Sequence, residues 1–201
     1  MATSVRGEAT RKSVHLLVSL VAAAVVWLLP PLTAATTFAA ASLLALGVEL
    51  ARRASRPAAA WFDRRLGHLL RPGEGGRLTG ATTLALGYTT AVVAFPGLPA
   101  LAGILVAGVA DAVAAVVGKR FGTHRYRGGK SVEGSLAFLL VVLPLSLLLP
   151  GLPALAAVLL AIGLTGIEAL TLPVDDNLYL PLATAAAVQL TGVAAGLTFF
   201  S

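Results

Sequence analysis

LPALAGILVAGVADAVAAVV, residues 98–117, decides the fold. It is an unbroken apolar run with one charge, Asp111, and a helix needs roughly 20 such residues to cross a bilayer. A spanning strand would alternate apolar and polar residues with period 2, and this stretch does not. In lipid, only a helix then satisfies its backbone hydrogen bonds. Six further apolar runs flank it, at 13–29, 32–50, 78–95, 132–149, 152–172 and 178–200, all rich in Ala, Leu and Val. The expectation is an all-α, polytopic membrane helix bundle of about seven transmembrane helices, forming one integral-membrane domain over 1–201.

Composition agrees. Hydrophobic residues make up 57% of the 201 and charged residues 12%, about half the share usual in soluble domains. Mean hydropathy is +0.88. There is no Cys, which excludes a disulfide scaffold and Cys-ligated zinc or iron–sulfur sites. The net charge of +6 would point to nucleic acid in a soluble protein. Here it reads as basic loops on one side of a membrane, with no nucleic-acid partner.

The connections alternate in character. Pro30-Pro31, Pro96-Gly97 and Pro150-Gly151 are tight and uncharged, whereas 51–77 and 118–131 are longer and basic. Arg6, Arg11 and Lys12 precede or open the first run. Arg52, Arg53, Arg56, Arg64, Arg65, Arg71 and Arg77 lie between the second and third, and Lys119, Arg120, Arg125, Arg127 and Lys130 between the fourth and fifth. With seven spans all 15 basic residues fall on one side, so the N-terminus is expected in the cytoplasm and the C-terminus outside. A cleaved signal peptide ending near 33–41 is the rival reading of the first run.

The acids follow the same side. Glu49 ends the second run, Asp111 lies late in the fourth, Glu133 opens the fifth, Glu168 nears the end of the sixth, and Asp175 and Asp176 come just after it. Ionisable groups inside a membrane are costly and are functional candidates by default. Asp111 has Ala107, Gly108, Ala115 and Gly118 on its helical stripe, small residues that let another helix approach closely. Arg11, His15 and Ser19 share a face at i, i+4 spacing. Their alternative is an interfacial anchor with snorkelling cations. Gly192 and Gly196 form a G-x-x-x-G suited to packing within the bundle or to a homodimer.

The segment DAVAAVVGKRFGTHRYRGGKSVEG, residues 111–134, carries four glycines before Lys130, five basic residues and a carboxylate near each end. Glycines let backbone N–H groups approach an anion, basic side chains hold phosphate, and carboxylates suit Mg²⁺. Together they fit a metal–nucleotide complex better than a bare headgroup; the alternative is a solvated basic connector. Gly129-Lys130-Ser131 imitates the end of the phosphate-binding loop G-x-x-x-x-G-K-[ST], but His124 stands where that pattern needs Gly.

These elements resemble the membrane-embedded polyprenol kinase family, which includes dolichol kinases, phytol kinases and CTP-dependent diacylglycerol kinases. The resemblance rests on Arg11-Lys12 with His15; Arg77 through Thr82; Asp111, Ala114, Gly118 and Gly122; Gly129 through Gly134; and Glu168 followed by Asp176-Asn177-Leu178 and Pro181. They run in family order over nearly the whole chain. Thr82-Thr83 departs from the aromatic pair expected after Gly-Ala-Thr, and the extra N-terminal spans of eukaryotic dolichol kinases have no counterpart.

The resemblance implies transfer of the terminal phosphoryl group of CTP to a membrane isoprenoid alcohol, with Mg²⁺, at the cytoplasmic face. It implies Asp111, Lys130, Glu133, Glu168 and Asp176 as catalytic residues, with the four carboxylates as metal ligands. The nucleotide would be held by Arg11, Lys12, His15, Arg77, Lys119, Gly128, Gly129, Lys130, Ser131 and Asn177. Two rivals stand beside it. A phosphatidate cytidylyltransferase has a similar loop, but its closing K-D, H-G-G and D-R-x-D elements are missing here. A transporter would favour internal repeats and midplane charges, and neither is evident.

Overall fold

The computed structural model describes the backbone of residues 2–67, 70 and 77–199, and their side chains except those of 2–9 and 127. Arg71, Glu74 and Phe200, and the side chains of Arg6, Glu8 and Arg127, lie outside the described residues. Each apolar run contains a helix. The order is α1 (Ala2–Leu28), α2 (Pro31–Ala54), α3 (Arg56–Leu66), α4 (Gly80–Ala94), α5 (Leu98–Leu105), α6 (Asp111–Phe121), α7 (Val132–Leu147), α8 (Ala154–Ala169) and α9 (Asp176–Ala194). No strand occurs among the described residues.

Local chemistry sets the ends. Pro31 opens α2 at a position where a missing N–H costs nothing. Thr79, Ser131 and Asp175 cap α4, α7 and α9 by accepting from Thr82 N, Gly134 N and Asn177 N. Between α4 and α5, and between α7 and α8, the chain reverses through Gly97 and Gly151, both at positive φ.

Three helical stretches are long and apolar enough to cross a membrane: Thr10–Leu28, Pro31–Ala54 and Leu98–Phe121. α4, α7 and α8 have 15, 16 and 16 residues, below the lower limit of roughly 17. Their caps and turns shorten them relative to the apolar runs that contain them. The first part of the basic connection, 51–67, is helical for most of its length. α2 runs on to Ala54, and Ser55 starts α3, accepting from Ala58 N. α3 buries Phe62 and exposes Trp61.

Leu98–Phe121 is one rod interrupted by a π-helical turn, Val106–Ala110, immediately before Asp111. A π turn shifts the register of the residues after it, so Asp111 and Ala107 do not keep simple α spacing. Gly108 instead takes the side chain of Ser19, and Gly118 packs beside Ser131 and Gly134. The central helices bury Tyr88, Ile104, Phe138, Leu164 and Leu180. α4 lies between α2 and α9, and α7 between α6 and α8; α1 packs on α5 and barely touches α2. Outward faces carry long apolar side chains, among them Trp27, Leu32, Leu44, Leu140 and Leu155. The G-x-x-x-G does not form one helical stripe. α9 ends before Gly196, whose φ is +74°, and Gly192 accommodates the ring of Phe199 from the same chain.

Candidate functional site

The connection from α6 to α7 is a closed loop. Tyr126 N donates to Lys130 O and Val132 N to His124 O, both at 3.0 Å. Arg125 donates across the loop to the carbonyls of Gly129 (3.0 Å) and Gly118 (3.2 Å). Gly128 and Gly129 both take positive φ, and Gly128 lies against Thr171, just beyond α8. The loop is thereby pressed towards the end of α8 and the start of α9.

A polar cavity of about 320 Å³ opens there. α1 brings Arg11 and Lys12, and α6 brings Asp111 and Lys119. The loop supplies Arg125, Gly128, Gly129, Lys130 and Ser131, while Glu168 and Asp176 come from α8 and α9. Five basic and three acidic side chains face this space, so it favours an anion while keeping carboxylates within it.

Lys130 is the hub. Its Nζ stands 3.0 Å from Glu168 Oε1 and 3.3 Å from Asp176 Oδ2, and it also donates to the Glu168 carbonyl. Burial disfavours its charge, but Asp176 and Glu168 outweigh that and push its pKa up to about 12. The other Glu168 oxygen accepts from Ser135 Oγ at 2.9 Å, and Ser135 is bonded to the Tyr126 hydroxyl at 2.5 Å. Neither Ser135 nor Tyr126 stood out in the sequence. The available signal for Ser135 was its place one helical turn after Ser131.

On the facing wall Lys12 Nζ donates to Asp111 Oδ2 at 2.9 Å, with both side chains 16% exposed. His15 sits one turn along α1, its Nε2 3.1 Å from the Ala107 carbonyl in the π turn. Ser19 Oγ, a turn further, donates to the His15 carbonyl at 2.7 Å and is 2.6 Å from the Tyr88 hydroxyl. α1 is thus docked on the π turn along one polar edge.

Four candidate residues lie outside the polar cavity. Glu133 accepts from Thr123 Oγ1 at 2.6 Å and is 2.8 Å from His124 Nδ1, so it fastens the loop instead of facing the space. Arg77 is exposed, and its carbonyl accepts from Arg52 at 3.3 Å. His15 and Asn177 line a second space, Asn177 donating to Gly80 O at 3.2 Å. Among the described residues no three His, Asp or Glu side chains converge on a metal position. Mg²⁺ asks less of the protein, since one or two carboxylates together with substrate phosphates suffice. Glu168 and Asp176, which share the Lys130 ammonium, are hard oxygen donors of that kind.

The second space is an apolar cleft of about 500 Å³ between α1, α2 and α4. Val14, Val18 and Ala22 line it from α1, Phe38, Ala41 and Ala45 from α2, and Leu84, Ala85 and Tyr88 from α4; Phe62 and Leu66 of α3 cover its polar end. Arg11 and Lys12 line both spaces. Compared with protein-family models, curated proteins and solved structures, the chain matches none of them.

Proposed function

We propose that the chain is a membrane-embedded kinase that transfers the terminal phosphoryl group of CTP to the hydroxyl of an isoprenoid alcohol. Its seven apolar helical runs would cross the bilayer, with the N-terminus and the polar cavity on the cytoplasmic side and the C-terminus opposite. The observation that carries this reading is the junction at Arg11 and Lys12. A basic, carboxylate-bearing cavity meets an apolar cleft there, so a phosphate group and a lipid tail can lie end to end. The choice of CTP rests on the family resemblance.

In this reading Lys119, Lys130 and the backbone of Gly128-Gly129 hold the phosphates, and Lys12 steadies Asp111 at the junction. The lipid hydroxyl attacks the γ-phosphorus, its proton passes to Asp111, and the bond from that phosphorus to the bridging oxygen breaks to release CDP. Glu168 and Asp176 are the residues that would hold Mg²⁺, which supplies charge neutralisation on the phosphates. Ser135 keeps Glu168 oriented towards the cavity.

The test is purified protein with γ-labelled CTP and a panel of lipid alcohols, with phosphatidate in a parallel arm, repeated with ATP. Label appearing in the lipid supports the kinase. Label appearing in pyrophosphate, with cytidine joined to a lipid phosphate, overturns it in favour of cytidylyl transfer.

A further inference from the structure

We infer that the apolar cleft measures its substrate: it takes one isoprenoid chain of three to four units and rejects long polyprenols and two-tailed diacylglycerol. This rests on the kinase reading above and concerns only its acceptor. The cleft runs from Arg11 to Ala22 along α1 and from Glu49 to Phe38 along α2, a rise of about 16 Å on each helix. An extended chain advances about 1.2 Å per bond. The cleft therefore holds about 13 bonds, or between three and four isoprene units of four bonds each.

Its floor is built. The Phe38 and Tyr88 rings meet edge to face with centroids 6.4 Å apart, and both side chains are buried. Two hydrogen bonds tie α2 to α4 at the same level, Ser42 Oγ to Thr89 Oγ1 at 2.7 Å and Thr89 Oγ1 to the Phe38 carbonyl at 2.9 Å. A chain that reaches this level meets packed side chains. The mouth lies between α1 and α2, which scarcely touch, and Val14, Val18 and Leu44 are exposed along it, so a lipid can enter sideways.

The walls suit methyl branches. Ala41 and Ala45 of α2, and Ala81 and Ala85 of α4, form i, i+4 rows facing the cleft. Such rows repeat about every 6 Å, close to the isoprene repeat of about 5 Å that the same bond length implies. The cleft of about 500 Å³ is bounded by α1, α2 and α4, so a second acyl tail would have to share that space with the first.

The experiment compares phosphoryl transfer from γ-labelled CTP to farnesol, geranylgeraniol, a fifty-five-carbon polyprenol, hexadecanol and diacylglycerol. The expected result is a kcat/KM for the two short isoprenoids at least about tenfold above the others. Phe38→Ala opens the floor and is expected to raise the ratio of long-polyprenol to geranylgeraniol turnover about tenfold. Phe38→Leu, which keeps an apolar side chain there, guards against misfolding and should shift the ratio in the same direction. Equal use of the long polyprenol or diacylglycerol, or an unchanged order in both folded variants, overturns the inference while leaving the kinase standing.

If no alcohol is phosphorylated, the kinase reading fails and a nucleotide-free measurement decides the cleft. Photolabelling with a diazirine-tagged geranylgeranyl alcohol should mark α1, α2 and α4. Competition by geranylgeraniol, but not by diacylglycerol, sustains the inference; equal competition ends it.

Discussion

Lys130→Met is the most informative single change. Lys130 reaches two carboxylates and a carbonyl at once, and Glu168 beside it is 4% exposed. Removing the ammonium leaves a buried carboxylate without its cation, which costs about 3–5 kcal/mol when a buried pair is broken. Two facts place this case at the low end. Ser135 still donates to Glu168 at 2.9 Å, and Asp176 is 36% exposed, so solvent screens its share. An expected loss of about 3 kcal/mol corresponds to a fall of roughly 6–12 °C in thermal midpoint for a chain of this size. The assay is thermal unfolding in detergent for the wild type, Lys130→Met, Glu168→Gln and the double variant. Because Glu168→Gln removes the stranded charge, the double variant should recover about 2 kcal/mol relative to additivity. Additive single effects, or an unchanged midpoint in Lys130→Met, would refute the placement of this ammonium as the electrostatic centre of the cavity.

Asp111→Asn is expected to lower phosphoryl transfer about 10²- to 10⁴-fold, the usual contribution of a positioned base; γ-label transfer within threefold of wild type counts against its role at the junction. Lys130 also predicts a pH dependence. Its folded pKa of about 12 lies above the ordinary 10.5, so its stabilisation is complete below about 10.5 and fades as pH rises through 12. The difference in midpoint between wild type and Lys130→Met should therefore stay constant from about pH 6 to 9. Gly87→Ala drives a Cβ into the Asn177 carbonyl and the Leu178 backbone, and should cost about 1–3 kcal/mol in the same thermal assay. Gly163→Ala on α8 meets open space and should be neutral or stabilising by up to about 1 kcal/mol.

Much of the lining of the candidate cavity was legible because charge is so scarce in this chain. Asp111, Glu168 and Asp176 stand out against apolar surroundings, and the glycines before Lys130 mark the loop that packs beside them. Glu133 was equally conspicuous, yet it turns to Thr123 and His124. A residue in the first turn of α7 can point into the cavity or back along the loop, and spacing does not distinguish these. The ordered helix α3 was hidden by its Arg-rich composition, although Ser55 before Arg56-Pro57 carries a helix-start signal.

What the sequence determined by itself is that the apolar runs form helices, with turns between them. Apolar runs must close their own backbone hydrogen bonds, Pro-Gly pairs separate them, and Thr79, Ser131 and Asp175 cap the starts of α4, α7 and α9. What only the tertiary structure decided is which charges meet and where an apolar space is left. Lys12 on α1 faces Asp111 nearly a hundred residues away, through a π turn that periodicity does not announce. The cleft exists because α1 packs on α5 and stands off from α2. Both depend on how finished helices fit against one another, and an α-helical pattern fixes the face a side chain is on without fixing the helix it will face.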